Sequence, residues 1–153
     1  MAQITAGILM YRFNSGNLQV LLVHPGGPFW EKKDLESWSI PKGLPDEGEE
    51  PIAAAIRELG EETGCTAPIR LVPLSPVMMK SGRKIIHAWA GEGDCDASEV
   101  KSNTFSIEWP PNSGTFREFP EVDRAAWFDV DEAKKKINKG QVRLIEELAE
   151  MLA

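Results

Sequence analysis

GLPDEGEEPIAAAIRELGEETGC, residues 43–65, is the stretch whose reading decides the fold. Its first part, with Pro45, Gly48 and two acidic pairs, reads as an irregular loop, and Pro51 suits the first position of a helix. Glu49 and Glu50 favour the positive end of the helix dipole, and Gly64 marks the end of the helix. Ile52, Ile56, Leu59 and Thr63 recur at helical spacing, which predicts that they face a core and that the charges face outward. Glu58, Glu61 and Glu62 then share one face, with Cβ atoms about 5–6 Å apart. Like charges at that spacing oppose the helix by a few tenths of a kcal/mol per pair, and by more when partly desolvated. Arg57, four residues before Glu61, offsets one charge but not three. A divalent cation offsets them together, and an all-carboxylate site suits a hard ion such as Mg²⁺, with Mn²⁺ a close substitute.

Taken alone, such a cluster is more often a solvated helix face. The wider spacing reverses that balance. Gly43 is followed by five residues and Glu49, then seven residues and Arg57-Glu58-Leu59, one residue, and Glu61-Glu62-Thr63-Gly64-Cys65. This pattern resembles the signature of the Nudix family, with Cys65 where an aliphatic residue is usual. A chance match of seven fixed positions and one apolar one is on the order of 10⁻⁷ from average residue usage. The resemblance implies an α/β/α sandwich with a mixed central sheet and a loop-helix-loop motif that holds Mg²⁺ or Mn²⁺ against substrate phosphates. It implies Glu58, Glu61 and Glu62 as metal ligands, with Gly43 adding its backbone carbonyl. Glu49 and Arg57 are implied as a structural pair that preorganises those ligands. Chemistry agrees, because the negative oxygens of a pyrophosphate repel an attacking water, and metal ions on glutamates both neutralise them and activate the water.

Residues outside the motif bear on the substrate. In EFPEVDRAAWF, Glu121 stands six residues before Trp127, similar to an extra glutamate of several Nudix subfamilies that serves as ligand or general base; Glu118 is the fallback. Which glutamate activates the water is left open. ESWSIPKG before the motif and KSGRKIIHAW after it resemble the asymmetric diadenosine polyphosphate hydrolases, which implies phosphate contacts from Lys42, Arg83 and Lys84; the alternative for each is a solvated cation. The expected activity is hydrolysis of a pyrophosphate linkage in a nucleoside diphosphate derivative, leaning to dinucleoside polyphosphates. The alternatives are a nucleoside triphosphate pyrophosphohydrolase and a nucleotide-binding module without turnover.

Composition bounds the rest. A chain of 153 residues has the usual length of one domain, so one domain over 1–153 is expected. A net charge of -7 argues against binding to duplex nucleic acid or an anionic membrane surface, and leaves a small nucleotide as the expected partner, with a monomer or homodimer as the assembly. Cys65 and Cys95 are expected as free thiols, and the absence of a basic-then-apolar leader predicts a cytoplasmic protein. Strands are predicted at 4–13, 18–23, 38–40, 69–74, 84–90, 104–109 and 124–128, and helices at 132–137, with Asp131 as N-cap, and at 142–152. Trp38, Trp89 and Trp127 are expected in the core, and Phe29, Trp30 and Trp109 near loops where a base could stack. His87 is read as a strand residue with a satisfied hydrogen bond, and His24, beside the Gly-rich loop, has the stronger claim to a site role.

Overall fold

A computed structural model describes residues 3–79 and 83–153; Lys80, Ser81 and Gly82 of the basic stretch before β6 lie outside the described residues. Its elements in chain order are β1 (Gln3–Asn14), β2 (Asn17–Pro25), β3 (Lys42–Gly43), α1 (Pro51–Thr63), β4 (Val72–Pro73), β5 (Val77–Met78), β6 (Lys84–Glu92), β7 (Thr104–Glu108), β8 (Phe116–Pro120), β9 (Val122–Asp129), α2 (Val130–Lys136) and α3 (Val142–Met151). The first two apolar runs form the expected hairpin, with Tyr11 opposite Val20 and Asn14 opposite Asn17. Ser15 and Gly16 turn the chain with φ of 52° and 82°, the handedness that matches the twist of the flanking strands.

β6 runs parallel to β1, and β9 runs antiparallel to β2, so the main sheet reads β4-β6-β1-β2-β9, with β3 on β1 and β5 on β6. Thr5 to Met10 are buried without interruption, as a central strand covered on both faces requires. Ala6, Ile8, Met10 and Leu21 pack with Ala54, Ala55 and Leu59 of α1 on one face. Leu9, Val20, Leu22, Trp38 and Ile40 pack with Ala133, Ile137, Leu144, Ile145 and Leu148 on the other. The result is the mixed sheet between helices that the sequence predicted.

Several expectations need correction. α1 buries Ala54, Ala55, Leu59 and Thr63, whereas Ile52 and Ile56 are 38% and 43% exposed. Small alanines let the helix approach β1 closely, and the turn of the helix that buries them carries Glu58 and Glu62 inward rather than to solvent. The strand expected at 69–74 is reduced to Val72–Pro73, consistent with Pro68 and Pro73 having no N–H to donate to a ladder. α2 begins after Asp129, and Asp131 lies inside its first turn. The sequence missed β8, which pairs with β7 as a separate two-stranded sheet, Phe105 opposite Phe119. Gly26 of the Gly-rich loop packs against this hairpin so closely that a Cβ there would collide with the Pro120 carbonyl.

Cys65 and Cys95 are not free thiols but a disulfide, with Cα atoms 5.9 Å apart. They lie 30 residues apart in sequence, and only the packing of the end of α1 against the loop after β6 brings them into bonding range. Among the described residues no helix is long and apolar enough to cross a membrane.

Candidate active site

Arg57 organises the loop-helix junction. Its guanidinium donates from Nε to Glu49 Oε2 at 3.0 Å and from Nη2 to Glu49 Oε1 at 2.9 Å, a two-pronged pairing. Nη2 also reaches the Leu44 carbonyl at 3.0 Å, while the Asp46 N–H donates to Glu49 Oε1 at 2.9 Å. The loop over residues 44–49 is thereby folded back onto α1. From its other edge, Nη1 donates to Glu58 Oε1 and Glu61 Oε2, each at 3.0 Å. Arg57 holds the Glu49 carboxyl below its usual value, and its own proton is held more firmly than usual by Glu49 first and by Glu61 and Glu58 after it.

β3 brings Gly43 against this cluster. Gly43 pairs with Ala6 of β1, and a Cβ on it would fall inside the Glu58 carboxylate. The absence of a Cβ here leaves room for the Glu58 carboxylate, and a larger residue would displace that flexible side-chain end. Gly43→Ala is therefore expected to push Glu58 out of place and lower divalent-metal affinity by about 10-fold or more, read by titration with Mn²⁺. Affinity unchanged from wild type would remove Glu58 from the ligand set.

Glu58 and Glu62 are drawn from water. Burial raises Glu58 above its usual value; Arg57 opposes this, and the charges of Glu61 and Glu121 add to it. Burial likewise pushes Glu62 up to about 8, with Glu58 and Glu121 adding to the rise and Lys42 working against it through its charge and its backbone N–H. Lys42 itself is lowered by burial. Glu121, between β8 and β9, adds its charge to the surroundings of Glu58 and Glu62. Its backbone is held on both sides, its N–H by the Asn103 carbonyl at 2.8 Å and its carbonyl by the Gly26 N–H at 2.9 Å.

A cleft of about 310 Å³ opens beside this cluster, with Glu62, Glu121, Lys42, Lys84, Trp30 and Trp38 in its wall. Of the two basic residues at the start of β6, the cleft wall includes Lys84; Arg83 precedes it and accepts the Gln3 N–H on its carbonyl at 2.7 Å. Glu118 is exposed on β8. Trp38 is 4% exposed and packs edge-on against Phe128, and Trp89 and Trp127 pack against the α1 side of the sheet. Phe29 and Trp109 meet edge to face with centroids 5.4 Å apart, a contact between two segments the sequence left unexplained. His24 is fully buried, its ring nitrogens 2.9 Å from Asp123 Oδ1 and 2.6 Å from the Lys33 carbonyl, a structural placement. Sequence reasoning had no signal for Asn138 and Gln141, which also line the cleft from the turn before α3.

The donors fit a hard divalent cation in chemistry. Glu58, Glu61, Glu62 and Glu121 supply oxygen only, and the mutual repulsion of partly buried carboxylates is what such an ion relieves. Among the described residues, no three acidic, His or Cys side chains already stand in a metal-holding arrangement. Arg57 holds one oxygen of Glu58 and one of Glu61, each at 3.0 Å.

The sequence profile of the NUDIX domain matches residues 1–148. An 8-oxo-(d)GTP phosphatase of Mycolicibacterium smegmatis is 34% identical over 104 residues, covering 67% of this chain and 26% of that protein. An RNA pyrophosphohydrolase of Caulobacter vibrioides is 43% identical over 56 residues, 33% of each. The chain therefore aligns with about a quarter to a third of the length of these relatives. Among solved structures, the NUDIX domain of Shewanella oneidensis NrtR, complexed with ADP ribose, superposes with a TM-score of 0.70 at 20% identity, over 100% of this chain and 90% of that one. A Caenorhabditis elegans Ap4A hydrolase superposes with a TM-score of 0.69 at 22% identity, over 99% and 98%. These two likenesses concern the fold. With the domain profile running nearly end to end and the loop-helix-loop motif folded around Arg57, the chain belongs to the Nudix family.

Proposed function

We propose that the chain is a metal-dependent pyrophosphohydrolase of nucleotide derivatives, and that dinucleoside polyphosphates are its preferred substrates. The observation that carries this reading is the shared cleft, where Glu62 and Glu121 stand in one wall with Lys42, Lys84, Trp30 and Trp38. Its volume of about 310 Å³ is at the small end of ligand pockets and suits a single nucleoside. A base packs against Trp30, the polyphosphate passes Lys42 and Lys84, and the scissile anhydride reaches the glutamates. Arg83, next to Lys84, belongs to the same proposed phosphate-contacting group. The lysines act as point charges against phosphate oxygens.

A bound Mg²⁺ or Mn²⁺ supplies polarisation of the phosphoryl oxygens and a water of lowered pKa. Glu58, Glu61 and Glu62 are the proposed residues that hold it, with the Gly43 carbonyl beside them. Arg57 and Glu49 keep the loop and helix in register. Glu121 adds a further ligand or takes a proton from the attacking water. A cytoplasmic place of action and a monomer or homodimer belong to the same reading.

The match to an 8-oxo-(d)GTP phosphatase favours a second reading, removal of pyrophosphate from nucleoside triphosphates. One experiment separates them: the chain with Mg²⁺ or Mn²⁺ is given diadenosine polyphosphates, ordinary and oxidised nucleoside triphosphates and 5′-triphosphorylated RNA, and products are resolved by chromatography. Two nucleotides released from a diadenosine polyphosphate are expected. Monophosphate and pyrophosphate alone, with no dinucleotide cleaved, would favour the second reading. Inertness across the panel with both metals would leave a nucleotide-binding module.

A further inference from the structure

Residues 95–103 cross the C-terminal end of α1 and tie it to the strand end that carries Glu121. The crossing begins at Cys95, bonded to Cys65 one residue past the helix cap Gly64. The Lys101 N–H then donates to the Thr63 carbonyl at 3.3 Å, and the Asn103 N–H donates to the Glu61 carbonyl at 3.0 Å. The carbonyl of the same Asn103 accepts the Glu121 N–H at 2.8 Å. One residue therefore links the backbone of a glutamate on α1 to the backbone of Glu121.

Ser102 fixes this link against β9. Its Oγ accepts the Val122 N–H at 3.0 Å, and its single proton has the Val122 carbonyl at 3.0 Å and the Asn103 carbonyl at 2.9 Å within reach. Such a clamp is needed where it stands. The β2–β9 ladder shifts register between His24 and Pro25, opposite this end of β9, and β8 belongs to the separate two-stranded sheet. The Gly26 N–H holds the Glu121 carbonyl from the β2 side, and the Asn103–Ser102 link holds the same corner from the α1 side.

The geometry points to Ser102 as a positioning residue for Glu121: its hydroxyl clamps Val122 and, with the Asn103 backbone, sets Glu121 in the cleft wall that it shares with Glu62 of α1. This rests on the reading of that cluster as a metal site. Glu121 and Glu62 line one cleft, so a displacement of Glu121 changes the cluster directly. Removing the hydroxyl leaves the chain path and the Asn103 and Gly26 bonds to Glu121 intact but takes the side-chain clamp off Val122, which loosens the placement of the carboxylate one residue before it.

The test is Mn²⁺ uptake by the whole chain, followed by the electron paramagnetic resonance signal of the free ion. Ser102→Ala is expected to weaken uptake about 10-fold, and Ser102→Thr, which keeps a hydroxyl, to stay within about twofold of wild type. Glu121→Gln is expected to weaken uptake by a similar factor, and adding Ser102→Ala to it to change little more, since both act through one carboxylate. Wild-type uptake by Ser102→Ala, or a loss that adds in full to that of Glu121→Gln, would overturn the assignment. Amide hydrogen exchange on the unaltered chain tests it even if Ser102→Ala fails to fold. Mn²⁺ is expected to slow exchange at the Asn103, Glu121 and Val122 amides together, and no response at these amides counts against it. A wild-type chain that takes up no Mn²⁺ overturns the site reading and this inference with it. Uptake lost in Glu62→Gln but kept in both Glu121→Gln and Ser102→Ala overturns this inference alone.

Discussion

Glu62→Gln is expected to lower turnover at least about 10²-fold while the chain stays folded, because the swap removes charge at the proposed metal site and conserves shape. Glu62 is the most strongly perturbed carboxyl of the cluster, buried beside Lys42 and facing two other glutamates. Such a residue contributes little to the stability of the metal-free fold, since its charged form is held where burial and like charge both oppose it. Circular dichroism and thermal melting should therefore place the variant within a few degrees of wild type, with Mn²⁺ titration showing the loss. A variant that turns over substrate at more than a tenth of the wild-type rate would remove Glu62 from the proposed centre, and a variant that unfolds would assign it a structural task instead.

Arg57→Ala is expected to do the opposite, to damage stability and turnover together. Five hydrogen bonds converge on this guanidinium, four of them to carboxylate oxygens. Bonds to charged groups contribute about 1.5–3 kcal/mol each when isolated, but these share one donor group and are partly wet, so a net loss of about 2–3 kcal/mol is the reasonable expectation. For a chain of this length that corresponds to a fall in Tm of roughly 5–10 °C. Deleting the cation also leaves Glu49, Glu58 and Glu61 facing one another, so Mg²⁺ should raise the Tm of Arg57→Ala by more than it raises that of wild type. A variant whose Tm and metal response both match wild type would show that the salt-bridge network is ornamental.

The motif that decides the fold was legible because its residues are local. Gly43, Glu49, Arg57, Glu58, Glu61 and Glu62 lie along the end of β3, one loop and one helix, and helical geometry alone places the last four near one another. The hairpin of β1 and β2 was legible for the same reason. What the sequence concealed depends on contacts far apart in the chain. Ile52 and Ile56 have the right period for a core, yet Ala54 and Ala55 are buried instead, since the fit of a helix onto β1 depends on size as well as on polarity. β8 was hidden by its closing proline and by a partner strand that belongs to no larger sheet. Trp30 reaches the cleft from the Gly-rich loop and Asn138 and Gln141 from the turn before α3, two connections that no spacing rule links.

The bond between Cys65 and Cys95 has a practical consequence for anyone handling the molecule. It closes a loop of 30 residues that contains β4, β5 and β6, and a cross-link of that span removes roughly 3–4 kcal/mol of chain freedom from the unfolded ensemble. Samples purified with and without a thiol reductant are then two different substances with the same mass to within two hydrogens, and melting temperatures or metal affinities taken from one do not carry over to the other.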